Sequence, residues 1–175
     1  DSTSICRGIA AFRPASGRMN ICPLDRDITL IDDAYNANPA SVTQALNTLA
    51  DISKKGTGMA VLGDMLELGE QSRALHFGIG QHAASLGINE LYLYGPEAAA
   101  IQEGAVEAGF ASDKIVYADK EAIIEAVIRS LTPPAWILVK GSRGMAMETV
   151  ISGLKDHFAP DIEGLNPGRT RTEKK

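Results

Sequence analysis

The sequence predicts an α/β fold: an open, mostly parallel twisted sheet of about six strands with helices on both faces. Short apolar runs such as Ile28-Thr29-Leu30-Ile31 and Trp136-Ile137-Leu138-Val139 read as strands buried on both sides. Segments with apolar residues at helical spacing separate these runs almost throughout, and that alternation is the mark of a parallel sheet. Several strands also end in polar or glycine-rich stretches, the usual place for ligands in such sheets.

Taken in order, Ile5, Ile9 and Phe12 are spaced for a short leading helix that Pro14 stops, and Ser16-Gly17-Arg18 turns the chain. Met19 to Leu24 forms a strand whose Pro23 demotes it to an edge or a bulge, because proline cannot donate to a sheet ladder. Asp25-Arg26-Asp27 turns into the strand from Ile28 to Ile31. Asn38 is suited to cap a helix and Pro39 to begin it, after which Val42, Ala45, Leu46, Leu49 and Ile52 recur on one face. Lys54 and Lys55 near its carboxyl end suit the helix dipole, and Gly56 ends it. Met59 to Gly63 is the next strand. A helix over Ser72 to Leu86 places Leu75, Ile79, Ala83 and Leu86 on one face, with Gly87 closing it. Leu91 to Tyr94 and Ile115 to Tyr117 are strands, separated by an alanine-rich helix that runs to Ala108-Gly109. The helix from Glu121 to Leu131 carries Ile123, Ile124, Val127 and Leu131, and Pro133-Pro134 breaks it. The last strand gives way at Lys140-Gly141-Ser142-Arg143-Gly144 to a helix through about Phe158. From Ala159 proline, glycine and charge dominate, which predicts a disordered tail over 159–175.

A chain of 175 residues suffices for one domain, and 45% hydrophobic with 22% charged residues is an ordinary globular composition. The net charge of −5, with both signs interspersed, argues against nucleic-acid or membrane-surface binding. Cys6 and Cys22 lie far apart with no CxxC pattern, so neither a disulfide framework nor a zinc site is expected. No apolar stretch approaches the ~18 residues of a membrane span. The start, Asp1-Ser2-Thr3-Ser4, has neither an initiator methionine nor a signal peptide, and reads as a piece of a longer protein.

Three polar clusters fall at strand ends. Asp32-Asp33-Ala34-Tyr35-Asn36-Ala37-Asn38 sets acids and amides where burial is costly unless they bind something, and capping explains only Asn38. In Gly63-Asp64-Met65-Leu66-Glu67, Asp64 and Glu67 suit either a cationic ligand or a loop cap. Lys140-Gly141-Ser142-Arg143-Gly144 can hold an anion through lysine, guanidinium and the amides of the following helix, or it is a turn with relaxed backbone. Arg18 belongs to this rim only if the fold carries its turn there. His76, His82 and His157 are scattered, which favours solvated or core-edge roles. There is no GxxxxGK[ST] loop, no GxGxxG after the first strand and no GxSxG elbow.

Together, Gly17-Arg18-Met19, Asp32 to Ser41, Gly63-Asp64-Met65-Leu66-Glu67-Leu68-Gly69 and Leu138 to Gly144 closely resemble the C-terminal domain of the Mur ligases, in the branch that adds D-Ala-D-Ala. Ala34 stands where serine is common. The resemblance covers roughly residues 1 to 158 and implies a Rossmann-like domain, with residues 1–15 as the junction from a central domain. It implies a cytoplasmic, monomeric bacterial enzyme of peptidoglycan synthesis that uses ATP and Mg2+. That enzyme joins D-Ala-D-Ala to UDP-MurNAc-tripeptide through an acyl phosphate. An N-terminal domain would bind the UDP moiety. The central domain would carry the phosphate loop, the magnesium ligands and a modified lysine, so this segment alone would hold neither metal nor catalytic residue. By the same resemblance Arg18 reaches the ATP phosphates, Asp33 the ribose, and Asn36 and Asn38 border adenine. Tyr35, Lys140, Ser142 and Arg143 become candidate contacts to D-Ala-D-Ala. A stand-alone nucleotide-binding or regulatory module and a non-catalytic scaffold are the competing readings.

Overall fold

In a computed structural model, which describes residues 17–158 together with residues 1, 3, 4 and 7, six strands form one sheet in the order β1-β2-β6-β3-β4-β5. The strands are β1 (Asn20–Pro23), β2 (Ile28–Asp33), β3 (Thr57–Gly63), β4 (Glu90–Tyr94), β5 (Ile115–Tyr117) and β6 (Ala135–Lys140). Only β1 is antiparallel to its neighbour; the other four pairings are parallel. The helices are α1 (Pro39–Ile52), α2 (Ser72–Ser85), α3 (Ala98–Glu107), α4 (Lys120–Ser130) and α5 (Glu148–Phe158). The expected leading helix, with Ile5, Ile9 and Phe12, and the expected tail from 159 lie outside the described residues.

Strand side chains alternate between two apolar layers, as the two-residue period of a strand requires. Ile31, Ala60, Leu62, Leu91, Leu93 and Leu138 face one layer, completed by Val42, Leu46 and Leu49 of α1, Ile79 and Ala83 of α2, and Ile101 and Ala105 of α3. Leu30, Met59, Val61, Tyr92, Ile137 and Val139 face the other, completed by Ile123 and Val127 of α4 and Val150, Ile151 and Leu154 of α5. Helices α2 and α3 approach until backbone meets backbone. A Cβ at Gly80 would sit 2.0 Å from the Ile101 carbonyl oxygen, and one at Gly104 2.0 Å from that of Phe77. Glycine costs about 1 kcal/mol in a helix interior, and here it permits the contact.

Most expected elements form, with differences that have physical causes. Strand β2 runs two residues further, through Asp32 and Asp33, because its ladder to β6 continues to the Asp33–Lys140 pair. Helix α1 stops at Ile52, which is exposed, so Lys54 and Lys55 follow the helix rather than ending it. The buried face of α2 is His76, Ile79, Gly80 and Ala83, so the histidine fills the core position expected of Leu75. After β6 no helix begins at once: Arg143–Met145 is a single 3-10 turn, Ala146 is left-handed at φ 48°, and α5 starts at Glu148. Strand β6 enters last, between β2 and β3. The chain therefore reverses its direction of travel across the sheet there, opening a crevice at the strands' carboxyl ends.

Candidate functional site

A cavity of about 450 Å³ opens at the carboxyl ends of β2 and β6. Its floor is an ion pair: Lys140 Nζ lies 2.6 Å from Asp33 Oδ2, and both side chains are almost fully buried. The same ammonium donates to the Asn36 carbonyl oxygen at 2.9 Å, while Asp33 Oδ1 accepts from the Met19 amide at 3.0 Å. A buried pair is tolerated when further hydrogen bonds support it, and these two do so. The pair thereby ties the Arg18 turn, the end of β2 and the end of β6 into one unit.

The Arg18 turn has a second tether. The Tyr35 amide donates to the Gly17 carbonyl oxygen at 2.9 Å. Gly17 has φ +74°, and a Cβ there would lie 3.0 Å from the Tyr35 backbone, so glycine is required twice over. Arg18 is thus carried to the rim, with its guanidinium carbon 4.6 Å from the centre of the Tyr35 ring. Arg143, from the loop after β6, lies 5.8 Å from the same centre and pairs with Glu148 at 3.5 Å. Cations this close to a ring face are attracted by its quadrupole.

The exposed candidates are Arg18, Tyr35, Asn36, Asn38 and Arg143. Asn36 Oδ1 accepts from the Ala37 amide at 2.9 Å. Asn38 forms the expected cap: its Oδ1 accepts from the Ser41 amide, and Ser41 Oγ accepts from the Asn38 amide. Arg18, Asp33, Tyr35, Asn36, Asn38 and Lys140 all line the large cavity. Tyr35 and Arg143 also line a smaller one of about 240 Å³, with Asp32 and Glu148. Ser142 lines neither. Its hydroxyl is buried, accepting from the Leu66 amide at 2.8 Å and facing the Ala37 carbonyl oxygen at 3.2 Å. The structure therefore brings Asp33, Lys140 and Ser142 together as an internal frame, with the exposed five arranged around it.

The loop after β3 meets this frame at Ser142, through the Leu66 amide and the Asp64 carbonyl oxygen. Asp64 is 1% exposed, and its Oδ2 accepts from the Glu97 amide at 3.1 Å, which makes it a cap at the entrance to α3. Burial pushes its carboxyl above the usual carboxylate range. Glu67 is exposed, and among the described residues no group of three His, Cys, Asp or Glu side chains converges as a metal site would require. Lys140-Gly141-Ser142-Arg143-Gly144 does not supply a helix-terminus anion site, because the lysine is consumed inside and α5 begins later. His76 is a further correction: it is fully buried, and its Nε2 accepts from the Met65 amide at 2.9 Å.

Four further cavity residues, Ser41, Gln44, Ala45 and Thr48 of α1, had no site role in the sequence reading. Their i, i+3, i+4, i+7 spacing is the signal that marks one helix face, and it adjoins the asparagine turn.

Comparison with known proteins places the fold and the motifs in context. Residues 17–143 match the family model described as "Mur ligase, glutamate ligase domain". The UDP-N-acetylmuramoyl-tripeptide–D-alanyl-D-alanine ligase of Escherichia coli K12 is 34% identical over 154 residues, covering 88% of this chain and 33% of that protein. The Bacillus subtilis 168 protein of the same name is 32% identical over 149 residues, covering 85% of this chain and 32% of that one. A crystal structure of MurF from Acinetobacter baumannii superposes with a TM-score of 0.76 at 30% identity, covering 88% of this chain and 34% of that one. The chain spans about a third of the length of these relatives.

Proposed function

The chain belongs to the Mur ligase, glutamate ligase domain family, and from that premise we propose that it serves as the C-terminal domain of a D-Ala-D-Ala-adding ligase. The reaction is ATP-dependent joining of the dipeptide amine to the carboxylate of UDP-MurNAc-tripeptide through an acyl phosphate, in the bacterial cytoplasm, by a monomeric three-domain enzyme. The observation that carries the reading is the cavity in which six of the eight motif residues meet.

The residues fit a nucleotide. A cavity of about 450 Å³ falls within the usual range for small-molecule sites, and its rim offers a guanidinium and two carboxamides. By the resemblance, Mg2+ is assigned to the central domain. Arg18 is assigned to the phosphates, where a preorganised cation stabilises charge as it shifts between oxygens. Asn36 and Asn38 border the base. Asp33 has one neighbour on each carboxylate oxygen, which leaves lone pairs for a ribose hydroxyl. Tyr35 and Arg143 face the amine substrate directly. Lys140 and Ser142 act on it from behind, by fixing the backbone at Asn36 and Ala37. Closure of such a rim over the other domains would keep water from an acyl phosphate and orient the amine.

The test is to join this segment to the N-terminal and central domains and assay ATP-dependent ligation. Arg18→Ala should lower kcat/KM by roughly 100-fold or more, and Asp33→Asn should raise KM for ATP. Activity untouched in both would overturn the assignments. Tight, magnesium-dependent ATP binding by the 175-residue chain alone, read by titration calorimetry, would favour a stand-alone nucleotide module instead.

A further inference from the structure

His76 lines neither cavity, sits on α2 and is fully buried, yet its bonds lead to the site. Its Nε2 lies 2.9 Å from the Met65 amide nitrogen, and its Nδ1 lies 2.8 Å from the Ser72 carbonyl oxygen and 3.4 Å from Ser72 Oγ. A backbone amide only donates and a carbonyl only accepts. These partners fix the tautomer, with the ring proton on Nδ1 and Nε2 as the acceptor. The next amide along, Leu66, donates to Ser142 Oγ at 2.8 Å, and that hydroxyl donates to the Ala37 carbonyl at 3.2 Å. The Ser142 amide returns a bond to the Asp64 carbonyl at 3.0 Å. One hydrogen-bonded path thus runs from α2 through the loop after β3 and the loop after β6 to the asparagine turn after β2. Apart from the peptide joining Met65 to Leu66, every link on it is a specific donor meeting a specific acceptor.

We propose that His76 is a positioning residue for the amine-binding side of the rim, acting through Met65, Leu66 and the Ser142 hydroxyl on Arg143 and the Ala37 peptide. The proposal rests on the ligase reading for its kinetic consequence and is independent of that reading for its structural one. Two substitutions of similar size separate the path from simple packing. In His76→Asn the amide nitrogen still reaches the Ser72 carbonyl, but nothing reaches the Met65 amide. In His76→Gln an oxygen is returned to the Nε2 position.

Hydrogen exchange on the 175-residue chain reads the structural consequence. Exchange at Met65 and Leu66 should quicken roughly tenfold in His76→Asn, return toward wild type in His76→Gln, and stay unchanged at Val61 in both. Unchanged exchange at Leu66 in His76→Asn overturns the proposal. In the three-domain enzyme, KM for D-Ala-D-Ala should rise roughly tenfold in His76→Asn while KM for ATP stays put, with His76→Gln restoring it. Equal rises in both KM values would mean general loosening and would also overturn it. A wild-type enzyme that fails to ligate would reject the ligase reading, and the exchange result would still decide the role of the histidine.

Discussion

The two ends of the sheet each carry a buried carboxylate with a lysine, and they use it in opposite ways. At the carboxyl end Asp33 and Lys140 are both enclosed, and each spends its remaining capacity on backbone groups of loops that wall a cavity. At the amino end Glu90 pairs with Lys114, whose side chain is 52% exposed. The other Glu90 oxygen accepts from the Tyr92 hydroxyl, which also meets Ser130 Oγ, so a strand is bolted to the end of α4. Neither cavity touches that cluster. Burial and the Glu90 bond push the Tyr92 hydroxyl well above the ordinary tyrosine range, so it remains a donor. Polar burial at one end shapes a surface for something else; at the other it is spent on the protein itself.

Substitution of the two lysines should separate these ends most widely. Lys140→Met leaves Asp33 charged, buried and unpaired, and should cost about 3–5 kcal/mol in denaturant unfolding. Lys114→Met removes a solvent-screened partner and should cost less than about 1 kcal/mol. Equal losses would erase the distinction between an enclosed frame and a surface-assisted bolt. The hydroxyls give the next contrast. Tyr92→Phe strips Glu90 of a buried donor and should cost about 1–3 kcal/mol while leaving ligation by the three-domain enzyme intact. Tyr35→Ala, at a side chain 44% exposed, should change stability by under about 0.5 kcal/mol and yet weaken ligation, with Tyr35→Phe keeping the ring and most of the activity.

Asp64 offers the most diagnostic effect. Its Oδ1 is buried without a hydrogen-bond partner. Because burial raises its folded value above the unfolded one, the folded state holds the proton more tightly. Stability should therefore increase as pH falls through the folded value, with the full burial cost present above it. Asp64→Asn keeps an oxygen for the Glu97 amide, and should gain about 1 kcal/mol at neutral pH and flatten that acid-side slope. An unchanged slope in urea unfolding across acidic pH would show that another group produces it.

The order of strands and helices was legible because the inner strands β2, β3, β4 and β6 are apolar on both faces and each helix keeps its period. The cap at Asn38 was legible too, since its partner Ser41 is three residues away. What escaped depends on pairs distant in sequence. Asp33 and Lys140 are 107 residues apart, so their burial as a pair, and the two-residue extension of β2 that accompanies it, leave no local mark. The same holds for Ser142 and Leu66. His76 was read as solvated or core-edge because a lone histidine carries no pattern. Its partners are a turn of its own helix and a loop that folds back over it. The delayed start of α5 turns on Ala146 adopting a left-handed conformation that alanine rarely takes, which composition does not announce.

The turn at Gly17-Arg18-Met19 has a mechanical side. It is pinned at Gly17 by the Tyr35 amide and at Met19 by Asp33, leaving a single residue between two fixed points. Arg18 therefore has no slack. The backbone on both sides of this arginine is thereby anchored to the end of β2 and the turn after it, so where the guanidinium can reach is set by those two tethers.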